Sequence, residues 1–163
     1  MSVPIYLGLD TATTMGLAVW SPDTHQAFVR SCKGGPIEQM VFIEEVYRSI
    51  QKQNRFADIT VAFEELHHFR NAKTLKMNSE RYGYLKYSLL LHDVKVTEVH
   101  PGTARSYIKC KDKEGVFKKL IGYVKGSAPI TDDHTDALAV ALKQAHYDGH
   151  GLDWDRLVIL GGL

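Results

Sequence analysis

Residues 5–20, IYLGLDTATTMGLAVW, read as two short apolar runs joined by a polar turn, and the first run, Ile5 to Asp10, ends in a carboxylate. Thr11 to Thr14 supply the turn, and Met15 to Trp20 resume the apolar pattern with one glycine, Gly16. Ser21-Pro22-Asp23 turns the chain again, and Gln26 to Arg30 alternates polar and apolar as a half-buried strand does. Turns this tight leave no length for a crossover, so the three strands predict an antiparallel meander. Gly34-Gly35-Pro36 then breaks the chain. Ile37 to Gln53 follows with Ile37, Met40, Val41, Ile43, Tyr47 and Ile50 at helical spacings, and with Glu38, Glu44, Arg48 and Lys52 on the wet side.

Two later apolar runs repeat the first. Ile59 to Phe63 ends in Glu64, and Val94 to Val99 is stopped by His100-Pro101-Gly102. Between them, Lys73 to Leu91 is a long helical stretch with Leu75, Tyr82, Leu85 and Leu89 near one face. Residues 113–124 form an amphipathic helix, and a last helix starts near Asp132 or Asp133, with Asp132 as its cap, and runs to His146. The tail, Trp154 to Leu163, is apolar but short and is expected to be an edge strand. The runs 5–10, 59–64 and 94–99 are separated by enough chain for helical crossovers, so they are expected to be central and parallel. The class is α/β: a mixed sheet covered by helices. No repeat or linker interrupts residues 1–163, which are expected to form a single domain.

Composition narrows the function. The chain has 163 residues, 44% of them hydrophobic and 24% charged, enough for one core. Its net charge is +1, so any nucleic-acid partner must be argued from local charge and not from the total. The two cysteines, Cys32 and Cys110, form no CxxC pair, which argues against a zinc ribbon or a disulfide scaffold and makes a reducing cytoplasm the expected location. The first residues, MSVPIYLGLD, lack the basic start of a signal peptide, and no apolar run is long enough to span a membrane.

Active sites in sheets of this kind lie beyond the carboxyl ends of the parallel strands, where Asp10 and Glu64 stand. Asp133 and Asp136, three apart in the first turn of the last helix, project from one face. Strand ends and helix N-termini favour acids anyway, but four acids placed for one site repel each other unless cations neutralise them. Carboxylates without His or Cys partners suit Mg²⁺, and two such ions are the standard arrangement for in-line attack on a phosphodiester.

These residues carry a resemblance. GLD at Gly8 to Asp10 with Gly16 beyond it, the stretch AFEELHHFRNAKTLKMNSERYG from Ala62 to Gly83, and DHTDALAVAL from Asp133 to Leu142 resemble, in order, the three motifs of RuvC-type Holliday junction resolvases, of the ribonuclease-H-like superfamily. The third motif is the most specific, and the resemblance is to a phage-type member. The resemblance implies a mixed five-stranded sheet, antiparallel meander plus parallel strands, flanked by helices. It implies catalytic, metal-holding carboxylates at Asp10, Glu64, Asp133 and Asp136, with two Mg²⁺ per active site and Mn²⁺ as a substitute. It also implies branched DNA, four-way junctions or forks, as partner, a homodimer joined through the 73–91 helix, and no small-molecule cofactor. A catalytic lysine is implied within 105–125, at Lys111 or Lys113. The sequence departs from the bacterial pattern at Thr11-Ala12, where Pro-Gly is usual, at His67, where an aromatic is usual, and in a shortened 101–126 segment.

Positive charge gathers in two places. From Arg105 to Lys125 seven Lys and Arg face two acids, a net +5 in a chain of +1, and Arg105, Lys109, Lys111 and Lys113 are the DNA-binding candidates there. After Glu64 come His67, His68, Phe69, Arg70, Lys73 and Lys76, with Arg81 beyond, a basic stretch with an aromatic suited to a nucleic-acid groove. His134, between the acids, is within reach of the metal site, and Tyr82, Tyr84 and Tyr87 read as core and dimer-interface aromatics. Two other readings share these features: a ribonuclease H-like RNA-processing nuclease, and an actin- or hexokinase-like ATPase, disfavoured because the chain has room for one domain only.

Overall fold

The computed structural model describes residues 1–66 and 71–161. The meander is β1 (Val3–Asp10), β2 (Thr14–Ser21) and β3 (Gln26–Lys33), each antiparallel to the next. It is followed by α1 (Pro36–Gln53), β4 (Ala57–Glu64), α2 (Ala72–Leu91) and β5 (Lys95–Val99). Then come α3 (Pro101–Tyr107), α4 (Lys113–Leu120), a 3₁₀ turn over Ile121–Tyr123, β6 (Val124–Lys125), α5 (Asp132–Tyr147) and β7 (Val158–Gly161).

The strand order is β5-β4-β1-β2-β3-β7-β6. The five expected strands run from β5 to β3, and two short ones extend the sheet past β3. The tail strand β7 is therefore not the edge: β6 pairs outside it, Val124 beside Ile159. The 94–99 strand is parallel as expected but lies at the opposite edge, not in the centre. Its five residues leave Lys95 and Glu98 in solvent, and Glu98 is ion-paired with Lys86 of α2, a charged edge that discourages pairing with another chain.

Alternation along the strands decides which side chains reach the site. Leu7 and Leu9, with Met15, Leu17, Ile59, Val61 and Phe63, pack under α1 and α2 on one face of the sheet. Each such side chain, fully buried, contributes about 1.5–3 kcal/mol. Tyr6, Ala18, Trp20 and Ala62 lie on the other face with α5, α3 and α4. Asp10 is four residues from Tyr6 and Glu64 two from Ala62, so the period of two puts both carboxylates on the α5 face. α5 is buried almost all round, and its Ala137, Ala141 and Ala145 form a smooth helical stripe. Two glycines let it lie close. A Cβ on Gly8 would sit 1.9 Å from the Ala137 carbonyl oxygen, and one on Gly16 would sit 2.1 Å from that of Asp133.

Local signals correct several expectations. Thr131, not Asp132, caps α5: its hydroxyl accepts from the His134 N–H while His134 Nδ1 accepts from the Thr131 N–H at 3.0 Å. His134 is thus buried in a capping box, and its Nδ1 is occupied there, not at the metal site. The stop at His100-Pro101-Gly102 is also the start of α3, with His100 Nδ1 accepting from the Gly102 N–H and Pro101 in the first turn. The helix expected over 113–124 ends at Leu120 and tightens into the 3₁₀ turn. The buried stripe of α2 is Arg81, Leu85 and Leu89, whereas Leu75 is exposed. Tyr82 meets the Phe63 ring edge-on at 5.2 Å, as a core aromatic should, while Tyr84 and Tyr87 are exposed. No helix among the described residues is long and apolar enough to cross a membrane.

Candidate metal centre

β1 and β4 run parallel with Leu9 beside Phe63, so Asp10 and Glu64 leave the sheet at the same end and on the same face. α5, held down by Gly8 and Gly16, brings Asp136 over them. Carboxylate oxygens of Asp10, Glu64 and Asp136 all lie within 4.8 Å of one another. Asp133, one helical turn before Asp136, stands outside this triad and joins it through Lys113. The Lys113 ammonium donates to Asp133 Oδ1 at 2.7 Å and to Asp10 Oδ2 at 3.0 Å, and lies 3.8 Å from Asp136 Oδ2. Arg105, on α3, donates to Asp136 Oδ2 at 2.7 Å. Of the two candidate lysines, Lys113 is the one at the carboxylates, and Lys111 is exposed.

The electrostatics are those of a site short of positive charge. Burial, reinforced by the Asp10 and Asp136 carboxylates and opposed by Arg105 and Lys113, pushes Glu64 up to about 8. Burial also raises Asp10; Lys113 pulls it back, and Asp136 and Asp133 add to the rise. Burial alone would lower Lys113, but Asp10 and Asp133 override it and hold the ammonium firmly charged. Burial likewise opposes the Arg105 charge and is outweighed by Asp136. Asp136 is 2% exposed, and its second oxygen, Oδ1, is buried with no partner among the described residues. An orphaned carboxylate oxygen is costly in a protein interior, and a divalent cation would satisfy it. Oxygen donors alone, with His134 turned away into its cap, are the ligand set of a hard cation. The residues present fit such an ion, and the Arg105 pair does not prevent it because it occupies Oδ2 only.

A pH dependence follows. Glu64 is protonated at pH 7 in the metal-free protein, so a cation that takes this carboxylate must displace its proton. Titration calorimetry with Mg²⁺ at pH 7, in buffers of different ionisation enthalpy, should register release of roughly one proton, falling towards none above about pH 9. Its folded value being raised, Glu64's share of metal-free stability is full below the ordinary 4.5 and is lost as the pH climbs through about 8. Binding with no proton release at pH 7 would contradict this account of the site.

The other basic candidates divide. Arg105 and Lys113 point inward to the carboxylates, and Lys119 donates to the Ile108 carbonyl at 2.6 Å with its ammonium over the Trp154 ring. Lys118 pairs with Glu114 on the same helix. Lys109 and Lys111 are exposed, as are Lys73 and Lys76 on α2, the last 3.9 Å from Glu80. Arg81 is buried. His67, His68, Phe69 and Arg70 lie outside the described residues. Two residues near the site were not singled out from the sequence. One is Gln39, buried on α1, whose amide donates to the Ala12 carbonyl at 2.7 Å and the Thr13 carbonyl at 3.3 Å, clamping the turn after Asp10. The other is Asn78, on the cleft beside Asp133.

A mixed sheet with carboxylates at the ends of β1 and β4 and a third on α5 is the ribonuclease-H-like fold the resemblance implied, and solved structures agree. The chain is similar to RuvC of Thermus thermophilus in complex with a Holliday junction substrate: TM-score 0.65, 21% identity, over 91% of this chain and 96% of that one. A second T. thermophilus RuvC structure matches with TM-score 0.64 and 21% identity over 91% and 97%. The yeast mitochondrial Holliday junction resolvase Ydc2 matches with TM-score 0.60 and 9% identity over 91% and 80%. No protein-family model and no curated protein sequence matches. The chain has the fold of the RuvC-type resolvases.

Proposed function

We propose that this chain is a Mg²⁺-dependent endonuclease that nicks branched DNA, four-way junctions or forks, by phosphodiester hydrolysis. The observation that carries the reading is the triad of Asp10, Glu64 and Asp136 within 4.8 Å, with a buried Asp136 oxygen that has no partner among the described residues, on this fold. Asp10, Glu64, Asp133 and Asp136 would hold two Mg²⁺ per site, with Mn²⁺ as a substitute. Bound there, the ions would generate the attacking hydroxide and neutralise charge on the leaving 3′ oxygen. Arg105 fixes Asp136 by Oδ2 and leaves Oδ1 as the ligand atom. Lys113, kept charged by its carboxylates, would present a fixed ammonium to the scissile phosphate and serve as the catalytic lysine. Exposed Lys73, Lys76, Lys109 and Lys111, with His67 to Arg70, would contact the DNA backbone.

A homodimer fits a substrate with near two-fold symmetry. The support here is the outer face of α2, where Met77, Tyr84, Tyr87, Leu90 and Leu91 are all exposed, too much apolar surface for one helix facing water. The decisive experiment is incubation of the protein with an end-labelled four-way junction, in Mg²⁺ and in EDTA, beside an RNA–DNA hybrid. Paired nicks with 5′-phosphate ends, in Mg²⁺ only, are expected. Preferential cutting of the hybrid's RNA strand would replace this reading with a ribonuclease H.

A further inference from the structure

Arg81 is a charged side chain in the wrong place for a surface cation. It is 6% exposed, and its Nε has no partner among the described residues. No carboxylate among them pairs with it; its hydrogen-bond partner is neutral, the Asn78 side-chain oxygen 3.2 Å from Nη1. A buried charge without a counter-charge costs several kcal/mol, in order of magnitude, and persists where something repays it.

The contact with Asn78 has a directional consequence. A guanidinium only donates, so Asn78 must turn its oxygen to Arg81, and its two N–H donors remain for whatever lies on the other side. Asn78 lines a cleft of ≈ 400 Å³ between the β1–β2 turn and α2, together with Thr13, Thr14, Thr74, Met77 and Asp133. Asp133 also shares Lys113 with Asp10, so this one lining residue links the cleft to the metal centre. Its walls thus offer an amide held by a cation behind it, and hydroxyls, beside an Asp133 carboxylate that is itself ion-paired with Lys113. That combination suits a phosphate oxygen.

We infer that the Asn78–Arg81 pair forms a subsite for the DNA phosphate next to the scissile one, with Asn78 Nδ2 donating to that phosphate and Arg81 acting as the positioning residue that locks the amide and supplies the charge. The inference rests on the nuclease reading and adds to it how the strand is held in register. The sequence placed Arg81 in a basic groove facing DNA directly; the structure puts it one layer behind.

The test uses four-way junctions in which the phosphate on either side of the scissile one is replaced, one at a time, by an uncharged methylphosphonate. Binding is measured without Mg²⁺, and nicking with it. Asn78→Ala is expected to weaken junction binding about 10- to 100-fold, the loss of a hydrogen bond to a charged group. Asn78→Asp, which sets a carboxylate against the phosphate, should weaken it further. At one of the two positions methylphosphonate should weaken wild type but cost Asn78→Ala nothing more, the signature of a direct contact. Arg81→Met, apolar and of similar length, should lose junction affinity without losing thermal stability, which a merely structural arginine would not do. Equal affinity of wild type and Asn78→Ala, or methylphosphonate penalties that add fully at both positions, would overturn the subsite. So would Arg81→Met losing stability while keeping affinity. A wild type that binds but never nicks would sink the nuclease reading, and the methylphosphonate comparison would still read the subsite by itself.

Discussion

Glu64→Gln is expected to abolish nicking while leaving the metal-free protein at least as stable as wild type. The two halves come from one fact. Glu64 is already protonated near neutral pH because burial and the Asp10 and Asp136 carboxylates push it up to about 8, so a neutral amide of nearly the same shape replaces a neutral acid. What the amide cannot do is give up a proton and become an anionic ligand. Loss of a metal ligand removes several kcal/mol of transition-state charge stabilisation, so nicking should fall on the order of 10³-fold or more. Mg²⁺ should raise the thermal midpoint of wild type, since a ligand that binds the folded state stabilises it, and should barely move that of Glu64→Gln. Junction binding should persist, because phosphate contacts supply most of the affinity and removing an acid beside them does not weaken it. Asp10→Asn should nick equally poorly and should likewise not cost metal-free stability, because burial and the neighbouring acids outweigh the Lys113 ammonium 3.0 Å away and raise Asp10 as well. Junction nicking, affinity and melting curves measured on both variants, with and without Mg²⁺, check the set. Wild-type nicking by Glu64→Gln would remove Glu64 from the mechanism.

The site's carboxylates were legible because each is a local signal. Asp10 and Glu64 end apolar runs expected to be parallel, which puts both at the same end of the sheet; Asp133 and Asp136 share a helix turn. What sequence cannot convey is the direction in which a long side chain turns. Arg105, Lys113 and Lys119 counted as a basic face, yet all three bend inward, because their stems are apolar and their heads find carboxylates or a carbonyl. The Gln39 clamp joins residues 27 apart in the chain and leaves no local trace. α3 was readable in principle from His100 and Pro101, which begin a helix as well as they end a strand. The edge position of β5 depends on which crossover each strand takes. Its exposed Lys95 and Glu98, three residues apart and so on opposite faces of the strand, were the available hint.

Gly8→Ala and Gly16→Ala should separate the two consequences of the closest contact in the fold. Both glycines face α5 backbone and not a flexible side-chain tip: a Cβ on Gly8 meets the Ala137 oxygen at 1.9 Å and the Ala141 nitrogen at 2.8 Å, and one on Gly16 meets the Asp133 oxygen at 2.1 Å. Relief requires the whole helix to rise by more than an ångström. Overpacking costs about 1–3 kcal/mol where side chains can shift, and a backbone-to-backbone clash belongs at or above the top of that range. Gly8 sits under the middle of α5, where lifting the helix strips Ala137 and Ala141 from the sheet, so Gly8→Ala should show the larger drop in the urea midpoint. Gly16 sits under the first turn, where the carboxylates are. Lifting that end moves Asp133, and Asp136 with it, away from Asp10 and Glu64. A displacement of about 1 Å at a reacting centre is enough to cost about 10²-fold in rate. Gly16→Ala should therefore lose Mg²⁺-dependent nicking, and the Mg²⁺-induced rise in melting temperature, out of proportion to its loss of stability. Gly122→Ala is the control: nothing lies within 4 Å of its Cβ, and its midpoint should stay within about 0.5 kcal/mol of wild type. If Gly16→Ala melts, binds Mg²⁺ and nicks as wild type does, then α5 is not seated on the sheet as described, and the meeting of Asp136 with the strand-end acids falls with it.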